Sequence, residues 1–285
     1  MTYLPPTQNE TLETARARNV RDALTEDIGV CDWTALLAPN GTRTRARVIV
    51  REPAVLCGST WFEACFAALD PRSSVVWRAA EGARMTPDQI VCEIEADGRA
   101  LLTAERPALN FLQLLSGVAT ATRRYVERIA GTRARILDTR KTLPGLRLAQ
   151  KHAVLTGGGE NHRLGLYDGI LIKENHIAAA GGLGAAMQRA QALGAGIPVQ
   201  IEVESLAQLG AALACGARSI LLDNFSLDLM REAVVLNAGR AVLEASGGVD
   251  FDSVRSIAET GVDRISIGGL TKSIRATDYS MRVIE

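Results

Sequence analysis

The chain has 285 residues, with 32 basic and 32 acidic side chains, so its formal net charge is zero. That balance excludes a general electrostatic pull on nucleic acid or on an anionic membrane. With 47% hydrophobic and 22% charged residues it reads as a soluble globular protein, long enough for one large domain or two ordinary ones. No apolar run reaches membrane-spanning length, and the stretch from Met1 to Glu10 lacks the apolar core of a signal peptide. Five cysteines without metal-like or redox-like spacing read as reduced thiols in a cytoplasm.

Residues 7–24 read as a helix with Leu12, Ala15, Val20 and Leu24 as its apolar positions, and Asp27-Ile28-Gly29 ends it. Strand-like runs follow at 46–51, 74–79 and 90–95, with a helix over 58–69 between the first two. This irregular first part reads as a smaller α+β domain. A long helix is expected from Thr103 to Ala130, with Thr103 as N-cap, Pro107 in the first turn, Gly117 as a candidate break and Gly131 as the stop. Arg106 would then sit in the first turn, where a cation opposes the helix dipole. Most such arginines are merely solvated. The domain boundary falls in this helix, giving an N-terminal domain of residues 1–115, completed by the segment 275–285, and a second domain of residues 116–274.

From Arg133 onward the pattern is regular. Strand-like runs occur at 134–139, 168–172, 198–203, 218–222, 241–245 and 264–267, with helices expected at 182–194, 205–215, 226–237 and 251–261. Successive βα units join parallel strands through right-handed crossovers. The expected fold is an incomplete, open α/β barrel behind the smaller domain, because fewer than eight strands can be counted.

Alternate residues of a strand face opposite ways. One set here is apolar, as in Ile201, Val203, Ile220, Leu222, Leu243 and Ile265, and should face the helices. The other carries Asp138, Arg140, Lys173, Gln200, Glu202, Asp223, Glu244 and Ser266, and should face inward or sit at the rim. Buried charge is costly unless paired or ligated, so these residues are either a salt-bridged core or a polar, ligand-filled mouth. Lys141, His162 and Arg163 add more cations than a neutral core needs, which favours a multiply anionic ligand. Ser246-Gly247-Gly248 and Gly268-Gly269 follow the last two strands, where glycines let backbone N–H groups approach a phosphate. Asp223 could cap the next helix, but Ser226 is better placed. There is no triphosphate-binding loop and no His/Cys metal motif.

These residues resemble a known family. Glu105-Arg106-Pro107 with Asn110, Asp138-Thr139-Arg140-Lys141-Thr142, Gly157-Gly158-Gly159 with Asn161-His162-Arg163, and Leu171-Ile172-Lys173-Glu174-Asn175-His176 resemble quinolinate phosphoribosyltransferase. Glu202-Val203-Glu204, Leu222-Asp223-Asn224, Glu244 to Gly248 and Ile267 to Lys272 continue the match, and Glu26-Asp27 with Asp32-Trp33-Thr34 extend it toward the start. The resemblance implies transfer of phosphoribosyl from phosphoribosyl pyrophosphate to the ring nitrogen of quinolinate, with loss of CO2, in de novo NAD synthesis. It implies Mg2+, and a homodimer in which Arg106 reaches the neighbouring subunit's site. Arg140, His162, Arg163 and Arg106 would hold the two carboxylates, beside Thr139. Lys141 and Lys173 would neutralise phosphate and departing pyrophosphate. Glu202 and Asp223 would meet the ribose hydroxyls directly or through Mg2+, which they would hold either directly or through water. Ser246, Gly247 and Gly248 with Ile267, Gly268 and Gly269 would seat the 5′-phosphate. The other readings are a same-fold paralogue of the molybdenum-uptake type with another acceptor, a transferase acting on nicotinate itself, and a non-catalytic phospho-ligand sensor.

Overall fold

The computed structural model describes residues 8–39, 41–194 and 196–284. Thr7 and Glu285, at the edges of two expected segments, lie outside them. The chain divides into two compact units. The first holds the described residues up to Thr120, Leu143–Gly157 and those from Ile274 onward; the second holds Ala121–Thr142 and Gly158–Ser273.

In the first unit, helix α1 (Leu12–Ile28) opens on a reciprocal cap: Thr11 Oγ1 accepts from Thr14 N–H at 3.2 Å, and Thr14 Oγ1 accepts from Thr11 N–H at 2.9 Å. It ends at Gly29, whose φ of 54° a side chain would resist. Strands β1 (Arg43–Val50), β3 (Ser74–Trp77) and β5 (Ile90–Asp97) form an antiparallel sheet with the C-terminal strand Tyr279–Ile284, in the order C-terminal strand, β1, β5, β3. The short strands β2 (Ala54–Val55) and β4 (Arg84–Met85) pair separately. Alternation along β1 buries Ala46, Val48 and Val50 completely. Helix α2 (Ser59–Leu69) packs Trp61, Phe62, Cys65 and Phe66 into the same core.

Glu81 caps α2. It accepts from Gly58 N–H at 2.8 Å, Ser59 N–H at 3.2 Å and Ser59 Oγ at 2.6 Å. Burial alone would raise its pKa, but hydrogen bonds from His152, Ser59, Gly58 and Cys57 outweigh that and bring it from 4.5 down to about 2. A depressed acid stabilises the fold fully above its unfolded pKa and loses that contribution as pH falls through the folded value. Glu81→Gln should therefore flatten the acid limb of the stability profile between about pH 5 and pH 2, removing up to ~3 kcal/mol at neutral pH. Urea unfolding of both proteins across that window checks this.

Helix α3 (Gly98–Arg128) starts earlier than the sequence suggested. Asp97 Oδ1 accepts from Arg99 N–H at 3.0 Å and so supplies the cap; Thr103 instead lies inside the helix and donates to Asp32 Oδ2 at 2.8 Å. Pro107 is interior, and Arg106 is exposed in the third turn, so the dipole penalty expected for it does not arise. Gly117 does not break the helix. A Cβ there would overlap the carbonyl oxygen of Arg275. Gly117→Ala should destabilise by about 1–3 kcal/mol through overpacking, although glycine to alanine within a helix otherwise gains about 1 kcal/mol. The midpoint of urea unfolding should fall; a rise would mean the contact relaxes freely.

Helix α4 (Arg147–Thr156) was not expected as a separate element, and its residues fell within the range given to the barrel. Its buried face of Ala149, Ala153 and Val154 joins the first unit's core instead.

The second unit is a six-stranded, wholly parallel sheet. Strands β6 (Arg135–Leu137), β7 (Ile170–Ile172), β8 (Val199–Val203), β9 (Ser219–Asp223), β10 (Val242–Ser246) and β11 (Arg264–Ser266) stand in the order β6, β11, β10, β9, β8, β7. Helices α5 (Glu174–Ala180), α6 (Leu183–Ala192), α7 (Leu206–Ala214), α8 (Leu227–Asn237), α9 (Val254–Ala258) and α10 (Gly269–Lys272) lie between or after the strands. Among the described residues β6 and β7 do not pair, so the barrel is open there; Leu137 instead makes one parallel bridge to Glu160. The apolar sets of β7 to β11 are buried with the helices, as alternation required; in β6 Ile136 joins them, whereas Leu137, on the parity expected to face the helices, lines a barrel cavity. Ser205 caps α7 by accepting from Gln208 N–H at 3.2 Å, and Ser226, rather than Asp223, caps α8 by accepting from Leu229 N–H at 3.3 Å.

Candidate active site

The strand ends converge on a cavity of about 580 Å3 in the second unit. Its wall includes Thr139, Arg140 and Lys141 after β6, His162 and Arg163 from the open side, and Lys173 after β7. Glu202 comes from β8, Asp223 from β9, and Ser246, Gly247 and Gly248 from the end of β10. The expected set is thus brought together, with four exceptions. Arg106 belongs to the first unit. Ile267, Gly268 and Gly269 do not line the cavity. Ile267 is buried among the helices and its N–H donates to Leu137 O at 2.9 Å, so it has nothing left to offer a phosphate. Gly268 has a different reason to be glycine: a Cβ would press on Lys141 Cδ at 2.8 Å.

Several contacts fix the cationic side. Asp138, fully buried, accepts from His162 N–H at 2.9 Å and ties the open side of the barrel to β6. Thr271 Oγ1 donates to Lys141 O at 2.8 Å, and Thr139 Oγ1 accepts from Lys141 N–H at 3.0 Å. The Arg163 guanidinium donates to Gly169 O at 2.9 Å. Burial, and then the like charge of Arg140, hold Arg163 below its ordinary pKa. Among the described residues, the buried Arg140 Nε has no hydrogen-bond partner. Two repelling guanidiniums, one with an unused buried donor, are the signature of an anion site.

The carboxylate side is different. Lys173 Nζ bonds both oxygens of Glu202, at 2.8 and 3.1 Å. Asp223 Oδ2 accepts from Asn224 at 2.8 Å. Asn224 is held at a φ of 56°, and its carboxamide leaves no space for a Cβ on Gly247, whose own φ is 96°. The Gly247 glycine is required by its backbone and by this neighbour together.

His162 is not one of the fixed cations. Its Nδ1 accepts from Arg163 N–H at 2.8 Å and its Nε2 lies 2.9 Å from Gln200 Oε1, which assigns the neutral tautomer protonated at Nε2. Gln200 Nε2 donates to Glu244 Oε2 at 2.9 Å, so the amide has a single sense. Glu244 is fully buried, and among the described residues its Oε1 has no hydrogen bond. Strand alternation placed Gln200 and Glu244 inside, but only the strand order makes them partners of His162. A second cavity of about 400 Å3, reaching the strand starts at Ile170, Val199, Ser219 and Arg264, also touches His162, Arg163 and Glu244. The His162–Gln200–Glu244 row therefore partitions the barrel interior. Gln200→Leu should strand the Glu244 carboxylate at a cost of about 1–3 kcal/mol and let the imidazole turn. The expected result is a raised KM for the acceptor with KM for the other substrate unchanged.

The other two histidines are outside the site. His176 Nδ1 accepts from Lys173 N–H at 3.0 Å and caps α5; His152 lies in the first unit.

Comparison with known proteins accounts for this constellation. The model of the quinolinate phosphoribosyl transferase N-terminal domain matches residues 32–116, and that of the C-terminal domain matches residues 118–282. The chain belongs to the quinolinate phosphoribosyltransferase family. A nicotinate-nucleotide pyrophosphorylase (carboxylating) of Mycobacterium leprae is 41% identical over 272 residues, covering 92% of this chain and 95% of that one. A probable enzyme of the same name from Bacillus subtilis is 39% identical, covering 90% of each. The solved nicotinate-nucleotide pyrophosphorylase of Francisella tularensis superposes with a TM-score of 0.93 at 41% identity, covering 99% of this chain and all of that one. As a family member, the chain has an N-terminal domain and an open α/β barrel, and the Asp138–Lys141 and Asn161–Arg163 motifs lie in the barrel unit.

Proposed function

We propose that this chain is a carboxylating nicotinate-nucleotide pyrophosphorylase. It transfers phosphoribosyl from phosphoribosyl pyrophosphate to quinolinate, giving nicotinate mononucleotide, pyrophosphate and CO2 in NAD biosynthesis. The observation that carries the reading is the convergence of Arg140 and Arg163 on one cavity, opposite Glu202 and Asp223. Two guanidiniums forced together match two adjacent carboxylates, since each fork suits one carboxylate. In this reading His162, held at both ring nitrogens by Arg163 N–H and Gln200, shapes the wall beside the carboxylates. Lys141 neutralises phosphate oxygens as the C1–O bond to pyrophosphate breaks. The quinolinate nitrogen forms the new bond to C1. Glu202 and Asp223 meet the ribose hydroxyls and favour the positive charge developing on the sugar. The nitrogen of the N-ribosylated intermediate is cationic, so it stabilises the electron pair left on the adjacent ring carbon when the carboxylate there departs as CO2; that pair then takes up a proton.

Mg2+ belongs to this proposal. Glu202 and Asp223 are oxygen ligands of the kind it takes, facing the cavity from adjacent strands. Lys173 already engages both oxygens of Glu202, which makes Asp223 the freer ligand and favours contact through water. When bound, the ion supplies charge neutralisation to the pyrophosphate. A homodimer with Arg106 reaching the neighbouring site is also proposed, supported by the exposure of Arg106 on α3. So is a cytoplasmic location, supported by five free thiols, three of them buried.

The test supplies purified protein with Mg2+, phosphoribosyl pyrophosphate and either quinolinate or nicotinate, and follows mononucleotide and CO2. Turnover with quinolinate alone is expected. Turnover with nicotinate alone would overturn the dicarboxylate reading. Binding of phosphoribosyl pyrophosphate without turnover of either would favour a paralogue or a sensor.

A further inference from the structure

In the first unit, apart from the barrel, three metal-ligating side chains of different chemistry meet. Cys57 precedes α2, Glu81 lies in the turn before β4, and His152 sits on α4. One ligand atom of each falls within 4.8 Å of the other two. His152 Nε2 is 3.5 Å from Glu81 Oε1.

Each ligand is held by contacts of its own. The Cys57 N–H donates to Ser116 Oγ at 3.0 Å, the Ser116 hydroxyl is 3.1 Å from Cys57 O, and Tyr279 donates to the same hydroxyl at 2.8 Å. Glu81 is fixed by the start of α2. The His152 ring stacks at a tilt on Trp61, 5.6 Å between centroids. Little ordering remains to oppose a ligand. The cluster is reachable, because the side chains of His152 and Glu81 are 29% and 30% exposed.

The plain alternative is a helix cap with nothing more to do. Capping explains Glu81, with His152 and Cys57 as further hydrogen-bond donors to it, but thiol, carboxylate and imidazole together are also a ligand set. Without a cation, a thiolate beside the Glu81 carboxylate would place two like charges together inside the fold. A divalent cation changes that balance. It displaces the thiol proton, and thiolate, carboxylate and cation then sum to zero inside the fold.

We propose that Cys57, Glu81 and His152 form a site for a thiophilic divalent cation of the zinc type, with water as the fourth ligand. Zinc bonds to sulfur, nitrogen and oxygen run about 2.0–2.3 Å, so the three side chains close on the ion by small rotations. Mg2+ would not choose this set, because a hard cation avoids thiolate. The site is thus independent of the barrel carboxylates and of the proposed activity.

The experiment is a cobalt titration of the reduced, metal-free, full-length protein. An intense near-ultraviolet thiolate-to-cobalt band should appear with tetrahedral visible bands, reach one equivalent per chain and vanish when Zn2+ is added. Carboxylate sites cannot produce that band. It should be lost in Cys57→Ser and in His152→Gln, and kept in Cys215→Ser. Should Cys57→Ser fail to fold, the partly exposed His152 decides: Zn2+ should raise the melting temperature of the wild type and not of His152→Gln. No charge-transfer band in the wild type, or one that survives unchanged in His152→Gln, would overturn the proposal.

Discussion

Arg140→Ala is expected to abolish quinolinate turnover while phosphoribosyl pyrophosphate still binds. Arg140 follows Asp138, and Asp138 is anchored to His162 N–H, so the backbone that aims the guanidinium is fixed before any ligand arrives. Among the described residues its buried Nε has no partner, and its charge adds to burial in holding down the pKa of Arg163. Both facts describe a donor held ready against repulsion, which an incoming carboxylate relieves. Removing one partner of such a desolvated pair costs about 3–5 kcal/mol, or roughly two to four powers of ten in kcat/KM for quinolinate. Arg140→Lys should recover little, since an ammonium keeps the charge but not the fork. Calorimetric titration with each substrate separately makes the check. Unchanged quinolinate affinity would reject the assignment, and loss of both affinities would mean that the cavity has collapsed.

The barrel was legible because its strands obey a period of two. One face must pack on helices and the other must not, so Ile201, Val203, Ile220 and Leu222 declared themselves, and every barrel strand ends within two residues of its expected place. The site was legible for the same reason. A charged residue in a buried strand is costly, so its presence needs a ligand or a partner. What alternation cannot reveal is which charges become neighbours. Lys173 pairs with Glu202, and Gln200 bridges His162 and Glu244, because of strand order and register, which no local pattern encodes. Helix α4 was missed for a related reason. Its apolar positions are ordinary, and only the tertiary fold decides which core they enter. Cys57, Glu81 and His152 have no characteristic spacing, since each comes from a different element. The error at α3 was one of local chemistry: Pro107 suits a first turn, but Asp97 was the better cap ten residues earlier.

Mixed dimers should restore activity that neither parent has. Arg106→Ala and Arg140→Ala are each expected to be nearly inactive, but for defects carried on different units of the chain. If Arg106 serves the partner's barrel, a mixed dimer has one site with both defects and one with neither. Random exchange makes half of the dimers mixed, so an equal mixture should regain roughly a quarter of wild-type activity in a two-fold symmetric assembly. If Arg106 served its own chain's barrel, every site in the mixture would carry one defect and no activity would return. The helix dipole is no obstacle to the first outcome. Arg106 stands in the third turn of α3, beyond the first turn where a cation meets the positive end of the helix, and its side chain is exposed. Mixing the two variants after mild dissociation, with size-exclusion chromatography to confirm exchange, separates the two arrangements by the presence or absence of product.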